Sequence, residues 1–235
     1  MTTGSPSDRA ERVLAELRSL ADPAQLAGMA RFGIATDRAL GGIGMPRLRQ
    51  MGRDLGPDHQ LAEALWATGV HEARMLAAFV DDSDLVTEAQ MERWAGGFDS
   101  WDLCDTVCGS LFDRTPFAHD KAVAWSGREE EFVKRAGFAT MAWLAVHDRK
   151  AGDDRFLAFL PHVELGAGDD RKLVRKAVSW ALRQIGKRNA RLNWEAVACA
   201  DRIRKQGSRS ARWVASDAIR ELTGDAVRER LRLRS

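Results

Sequence analysis

Tyrosine is absent from the 235 residues, whereas eight tryptophans are present, so the aromatic surface is concentrated in the largest side chain. Cysteine is scarce: Cys104, Cys108 and Cys199 form no CxxC pair. An odd count with no such pair points to reduced thiols and a cytoplasmic protein rather than a disulfide framework. No stretch approaches the roughly 20 uninterrupted apolar residues that a membrane-spanning helix requires. The polar segment Met1–Arg12 has no apolar h-region, so no secretory signal is expected. Only six prolines occur. Apolar residues at 45% and charged residues at 30% exclude a mostly disordered chain.

The formal net charge of +2 conceals a strong asymmetry. Residues 171–235 carry 18 Lys/Arg against 6 Asp/Glu, and residues 1–170 carry 18 against 28. A basic C-terminal third suggests a polyanion partner, with nucleic acid the commonest. A solvated basic face with no partner is the alternative.

The apolar spacing is helical throughout. Val13, Leu14, Leu17 and Leu20 form one stripe, Leu48, Met51 and Leu55 another. Val174, Val178, Ala181, Leu182 and Ile185 follow the same period. Asp22-Pro23 and Met45-Pro46 read as helix starts, because the first turn leaves proline's missing amide unpaired anyway. No alternating β-branched run and no hairpin signal occurs, so the fold class is all-α. Helices of about 10–20 residues with short connections suit an α-solenoid of stacked antiparallel HEAT-like pairs. A globular helical bundle is the other architecture compatible with this pattern. One domain over residues 1–235 is expected, with residues 1–7 a poorly ordered tail. Gly41–Gly44 and Gly166–Asp170 read as exposed loops, and the first lacks the Gly-Lys-Ser/Thr of a phosphate loop.

Three constellations could carry chemistry. In Phe98-Asp99-Ser100-Trp101-Asp102-Leu103-Cys104-Asp105, Ser100 suits an N-cap, and Trp101 and Asp105 share a face one turn apart. An indole beside a carboxylate can hold a cation or developing cation. The alternative has Trp101 in the core and Asp105 solvated. Second, Lys172, Lys176, Trp180, Arg183 and Lys187 fall on one face of a helix, opposite its apolar stripe. Cations there would neutralise phosphates while the exposed ring packs on sugar or base. A cation stacked on an exposed tryptophan is the alternative. Third, Arg135 stands beside the stripe of Phe132, Ala136 and Ala139, as a phosphate clamp or a structural ion pair. His71-Glu72-Ala73-Arg74 lacks the second histidine of a zinc motif and reads as helix-internal stabilisation. No metal site is expected.

Taken in order, Leu65-Trp66, His71-Glu72-Ala73-Arg74, Trp94, Phe98 to Asp105, Lys134-Arg135-Ala136 and Val174 to Arg183 resemble the AlkD-like DNA alkylation repair proteins. The resemblance runs from about residue 25 to 222. It implies a HEAT-like solenoid gripping duplex DNA on a basic concave face. It further implies a monofunctional glycosylase that excises cationic alkylated purines such as 3-methyladenine and 7-methylguanine without flipping the base. The family's catalytic Asp falls on Asp105, its two active-site Trp residues on Trp101 and Trp180, and its DNA-contacting Arg on Arg135. Phe32 stands where the prototype has a tyrosine, which keeps a stacking surface and loses a hydroxyl. The further DNA-binding residues expected are Lys172, Lys176, Arg183 and Lys187. The reaction so implied uses no cofactor, the partner is alkylated duplex DNA rather than a membrane, and the protein is expected as a monomer. The competing expectation is a non-catalytic HEAT-type module that binds DNA or protein.

Overall fold

Helix starts in this protein follow local backbone chemistry. Ser5 caps the first helix by accepting the Asp8 amide at 3.2 Å, while the Asp8 carboxylate accepts the Ser5 amide at 3.1 Å. Pro6, Pro46 and Pro161 each occupy the first turn of a helix. The computed structural model describes residues 4–34 and 37–232, and every regular element among them is helical. Of the expected tail, residues 1–3 lie outside the described residues, whereas Ser5 and Pro6 already build the first helix.

The chain splits into two compact units, residues 1–115 and 116–235. The first contains α1 (Pro6–Ser19), α2 (Leu26–Arg31), α3 (Met45–Leu55), α4 (His59–Ala67), α5 (His71–Val80), α6 (Glu88–Gly96) and α7 (Trp101–Ser110). A short turn at residues 68–70, with Gly69 at φ 71°, folds α5 back onto α4. Helices α3 and α7 also pack against α5, which makes α5 the central element of this unit. Its aromatic core stacks Trp66 on Trp94 at 4.2 Å, with Phe98 edge-on to Trp66 at 6.1 Å.

The second unit contains α8 (Ala118–Ser126), α9 (Glu131–His147), α10 (Asp153–Leu157), α11 (Leu160–Gly166), α12 (Lys172–Gly186), α13 (Ala190–Lys205), α14 (Arg209–Leu222) and α15 (Asp225–Arg232). Helix α9 packs on α8 and α12, and α12 packs in turn on α13 and α14. The stripe Val174, Val178, Ala181, Leu182 and Ile185 is fully buried there, as its spacing requires. Val13, Leu14 and Leu17 are likewise buried on α1, but Leu20 is exposed because it is the C-cap and has left the helical face.

The α8–α9 contact has no room for a side chain at Gly137. A methyl group built there would sit 2.5 Å from the Ser126 nitrogen and 2.9 Å from the Ala122 carbonyl oxygen. Both are backbone atoms, which cannot swing aside. Gly137→Ala is therefore expected to destabilise the protein by about 1–3 kcal/mol through overpacking, although alanine has the better helix propensity. A thermal melt checks this: a midpoint equal to or above the parent's would show that α8 and α9 can separate freely.

Candidate nucleic-acid interface and active site

Helix α7 begins at Trp101, with Ser100 as its N-cap as expected. The Ser100 hydroxyl does not bond to the helix's own amides; it donates to the Asp102 carboxylate. His71 on α5 meets the other Asp102 oxygen through Nε2 at 3.0 Å. Burial pulls the Asp102 carboxyl upward, but the His71 and Ser100 hydrogen bonds and the His71 charge outweigh it and hold it below the usual carboxylate range. The first turn of α7 is thus tied to α5. The Trp101 indole N–H adds a third tie, donating to the Phe32 carbonyl oxygen at 3.0 Å.

Trp101 and Asp105 are both partly exposed, one turn apart on α7, rather than in the core. Phe32 is brought to Trp101 through its backbone, and its own ring is 76% exposed. Phe32 and Asp102 also line a cavity of about 400 Å³ together with Met29, Ile43, Met45 and Met75.

In the second unit, the geometry differs from the sequence expectation at several positions. Arg135 is only 5% exposed, and its guanidinium donates to the Leu173 carbonyl at 2.5 Å, holding the first turn of α12. Helix geometry alone could not show this, because Leu173 lies 38 residues away. Trp180 is half-buried against the unit's core and meets Trp143 edge-on at 5.3 Å, whereas an exposed ring was expected. Trp143 stacks in turn on His147 at 5.0 Å.

The predicted cationic stripe of α12 also divides in two. Lys172 and Lys176 are exposed and make no ion pair with a described residue. Arg183 and Lys187 both bind Glu221 on α14, and Arg183 lies 3.5 Å from Asp217 as well. Their charge is largely balanced within the unit.

One constellation was underestimated. His71, Glu72 and Arg74 do not stabilise α5 internally; all three are buried and bond to other elements. Glu72 accepts the backbone amides of Leu40 and Gly41, both at 2.9 Å. The expected Gly41–Gly44 loop is thereby anchored, and Gly41 itself is buried. Arg74 donates to the Gly97 carbonyl at 2.8 Å and to Asp99 at 2.5 Å, and lies over the Trp66 ring. The available signal was three charged side chains at the head of a helix that continues Met-Leu-Ala-Ala-Phe-Val. Among the described residues no cluster of His, Cys, Asp and Glu could hold a metal.

The sequence matches the model of the family of DNA alkylation repair enzymes over residues 13–222. The chain belongs to that family. A solved structure described as "a new family of proteins related to the HEAT-like repeat DNA glycosylases with affinity for branched DNA structures" is similar to this chain. Their TM-score is 0.75 over 94% of this chain and 95% of that one, at 19% sequence identity. At that identity the likeness is one of fold, and it identifies the helical pairs as HEAT-like. No curated protein matches the sequence. Within this alkylation-repair family member, the ties on α7 and the half-buried Trp180 set what each tryptophan can tolerate.

Trp180→Ala is expected to lower stability by about 1–2 kcal/mol, less than the roughly 3–5 kcal/mol of a fully buried tryptophan. The double substitution of Lys172 and Lys176 by glutamine should leave stability within about 0.5 kcal/mol. Thermal melts of the two variants test the difference. Equal midpoints for Trp180→Ala and the parent would mean that the Trp143 contact contributes nothing.

Proposed function

We propose that the chain hydrolyses the N-glycosidic bond of cationic alkylated purines in duplex DNA, as a monofunctional glycosylase that leaves the damaged base in the stack. The observation that carries this reading is the Trp101–Asp105 pair, solvent-accessible on a helix whose first turn is fixed by Ser100, His71 and the Phe32 carbonyl. Alkylation at N3 or N7 makes the purine a neutral leaving group. The remaining barrier is then the positive charge developing on the deoxyribose. A carboxylate held near C1′ stabilises that charge and orients the attacking water, and an indole face beside it does the same without a formal charge. Trp180, by the family resemblance, offers a further aromatic surface for DNA on the second unit. Lys172 and Lys176 neutralise backbone phosphates, and Arg135 steadies the α12 turn from which they project. The Phe32 ring offers stacking surface without a hydroxyl.

A second reading is binding without turnover, in which Asp105 has no chemical role. The described affinity of the similar structure's family for branched DNA favours it.

Release of 7-methylguanine or 3-methyladenine from methylated duplex DNA separates the two. Asp105→Asn keeps the side chain's size and removes its charge. It should lower the excision rate by about 10²–10³, equivalent to about 2.7–4 kcal/mol in the barrier, with DNA affinity nearly unchanged. Equal rates for Asp105→Asn and the parent would remove Asp105 from the mechanism. A parent protein that releases no base yet prefers a four-way junction to duplex would establish the second reading.

A further inference from the structure

The C-terminal ends of α9 and α12 and the helix α15 surround a cavity of about 560 Å³ in the second unit. Arg149, Lys187, Arg188 and Arg230 line it, with the amides of Gln184 and Asn189, and no acidic side chain is among the lining residues. We propose that this cavity binds a phosphate group. The inference does not rest on the glycosylase reading, since none of these residues has a role in the excision step.

The convergence of unpaired arginines on one cavity carries the argument. Elsewhere in this unit Arg171 is matched to Asp169, Arg191 to Asp154, Arg202 to Glu164 and Arg220 to Asp217, and arginines without a described carboxylate partner, such as Arg209 and Arg228, do not line this cavity. Around the cavity, Arg149, Arg188 and Arg230 form no ion pair with any described residue, and only Lys187 is matched, to Glu221 at 2.6 Å. Helix capping accounts for part of this. Arg188 donates to the carbonyls of Ala145 at 2.8 Å and Ala151 at 3.4 Å, and Arg230 donates to that of Lys187. Those bonds satisfy chain carbonyls and leave the net charge in place. Each guanidinium also has more N–H donors than these bonds use. Arg149 is exposed and its guanidinium makes no bond to a described residue, so capping does not explain it.

Arg188 is further fixed by lying 3.7 Å from the centroid of the Phe156 ring, which preorganises its fork. Asp148 and Asp153 act on it only through space. Several like charges converging on one basin repel one another, and a tetrahedral dianion with oxygens in several directions relieves that repulsion. The Gln184 side-chain amide, which has no described partner, can donate to the same oxygens. Two sources present this chemistry: a nucleic-acid backbone and a free phosphorylated small molecule.

The test uses the full chain and two probes, inorganic phosphate and an undamaged DNA duplex, each titrated at several salt concentrations. Arg149→Gln breaks no described bond, so its effect cannot be loss of fold; Arg230→Gln is the second variant, and melting temperatures accompany both. Arg204→Gln, which removes an equal charge from an exposed pair with Asp201, is the control. If the site meets a nucleic-acid backbone, each variant weakens duplex binding at least fivefold relative to the control, and the slope of log affinity against log salt shrinks by about one. If the site takes a free ligand, phosphate binding weakens at least fivefold while duplex binding follows the control. Affinities for both probes indistinguishable from the control overturn the proposal. Excision plays no part in these titrations, so a failure here leaves the glycosylase reading to its own assay.

Discussion

A charged side chain taken out of water is destabilising unless its polar atoms find partners, and on one helix of the first unit three such side chains are each bonded to another segment, although His71 Nδ1 and Arg74 Nε are left over. His71, Glu72 and Arg74 are all buried at the head of α5. Each reaches a different segment: Glu72 the loop at residues 40–41, His71 the first turn of α7, and Arg74 the 97–99 connection that leads into α7. Apolar packing of α5 against α3, α4 and α7 supplies the driving force, but it is non-directional. These bonds select one arrangement of the adjoining segments, because any slippage strands a buried donor or acceptor. The candidate site inherits its geometry from this knot. Trp101 and Asp105 flank Asp102, which it holds, and Glu72 fixes a loop beside the cavity that Met29, Met75 and Asp102 line.

The second unit handles charge in the opposite way, at its surface. Its large excess of Lys and Arg suggests a uniformly cationic face, yet much of that charge is internally balanced. Glu221 alone takes both Arg183 and Lys187, and Asp169 takes both Lys134 and Arg171, which holds its carboxyl down at about 2. Exposed pairs of this kind contribute little stability. Their larger effect is to sculpt the potential. Among the cations without a described carboxylate partner, Lys172 and Lys176 stand on α12, and Arg149, Arg188 and Arg230 gather around the α9–α12 cavity. Net charge per segment overstates the area of such a surface and says nothing of where it lies.

Local chemistry explains what was legible in the sequence. The period-3.6 stripe of α12, the Ser100 N-cap position and the helix starts at Pro23 and Pro46 depend on residues within a few positions of one another, and all appear where the sequence places them. Exposure of Trp101 and Asp105 followed from placing the α7 stripe of Leu103, Val107 and Leu111 inward, and those three are buried. Misreadings arose where a partner lies 30–40 residues away. Arg135 is buried because Leu173 presents a carbonyl, Trp180 is half-covered because Trp143 arrives from α9, and Arg183 is neutralised because α14 brings Glu221. A helical wheel represents one helix, whereas in stacked HEAT-like pairs each face is completed by the next pair. The same reason hid the function of His71, Glu72 and Arg74, whose partners all belong to other elements.

The two acids on α7 have complementary electrostatic roles under the proposed mechanism. Asp102 and Asp105 lie three residues apart, so on a helix they are neighbours, and like charges at that spacing ordinarily oppose each other. The opposition is tolerable because Asp102 sits in the first turn, where the helix dipole favours a negative charge, and because His71 and Ser100 donate to it. Its carboxyl is held low by those bonds, so Asp102 remains anionic across the neutral range and adds a fixed negative potential beside Asp105. A site that must oppose a developing cation gains from that second charge only if the charge is immobile, since a mobile carboxylate would have to reorganise as the reaction proceeds. The buried His71 provides the immobility. The polar knot that determines how α5 and α7 meet therefore also keeps the field at Trp101 and Asp105 negative and stationary, so that folding and the proposed chemistry make the same demand on these residues.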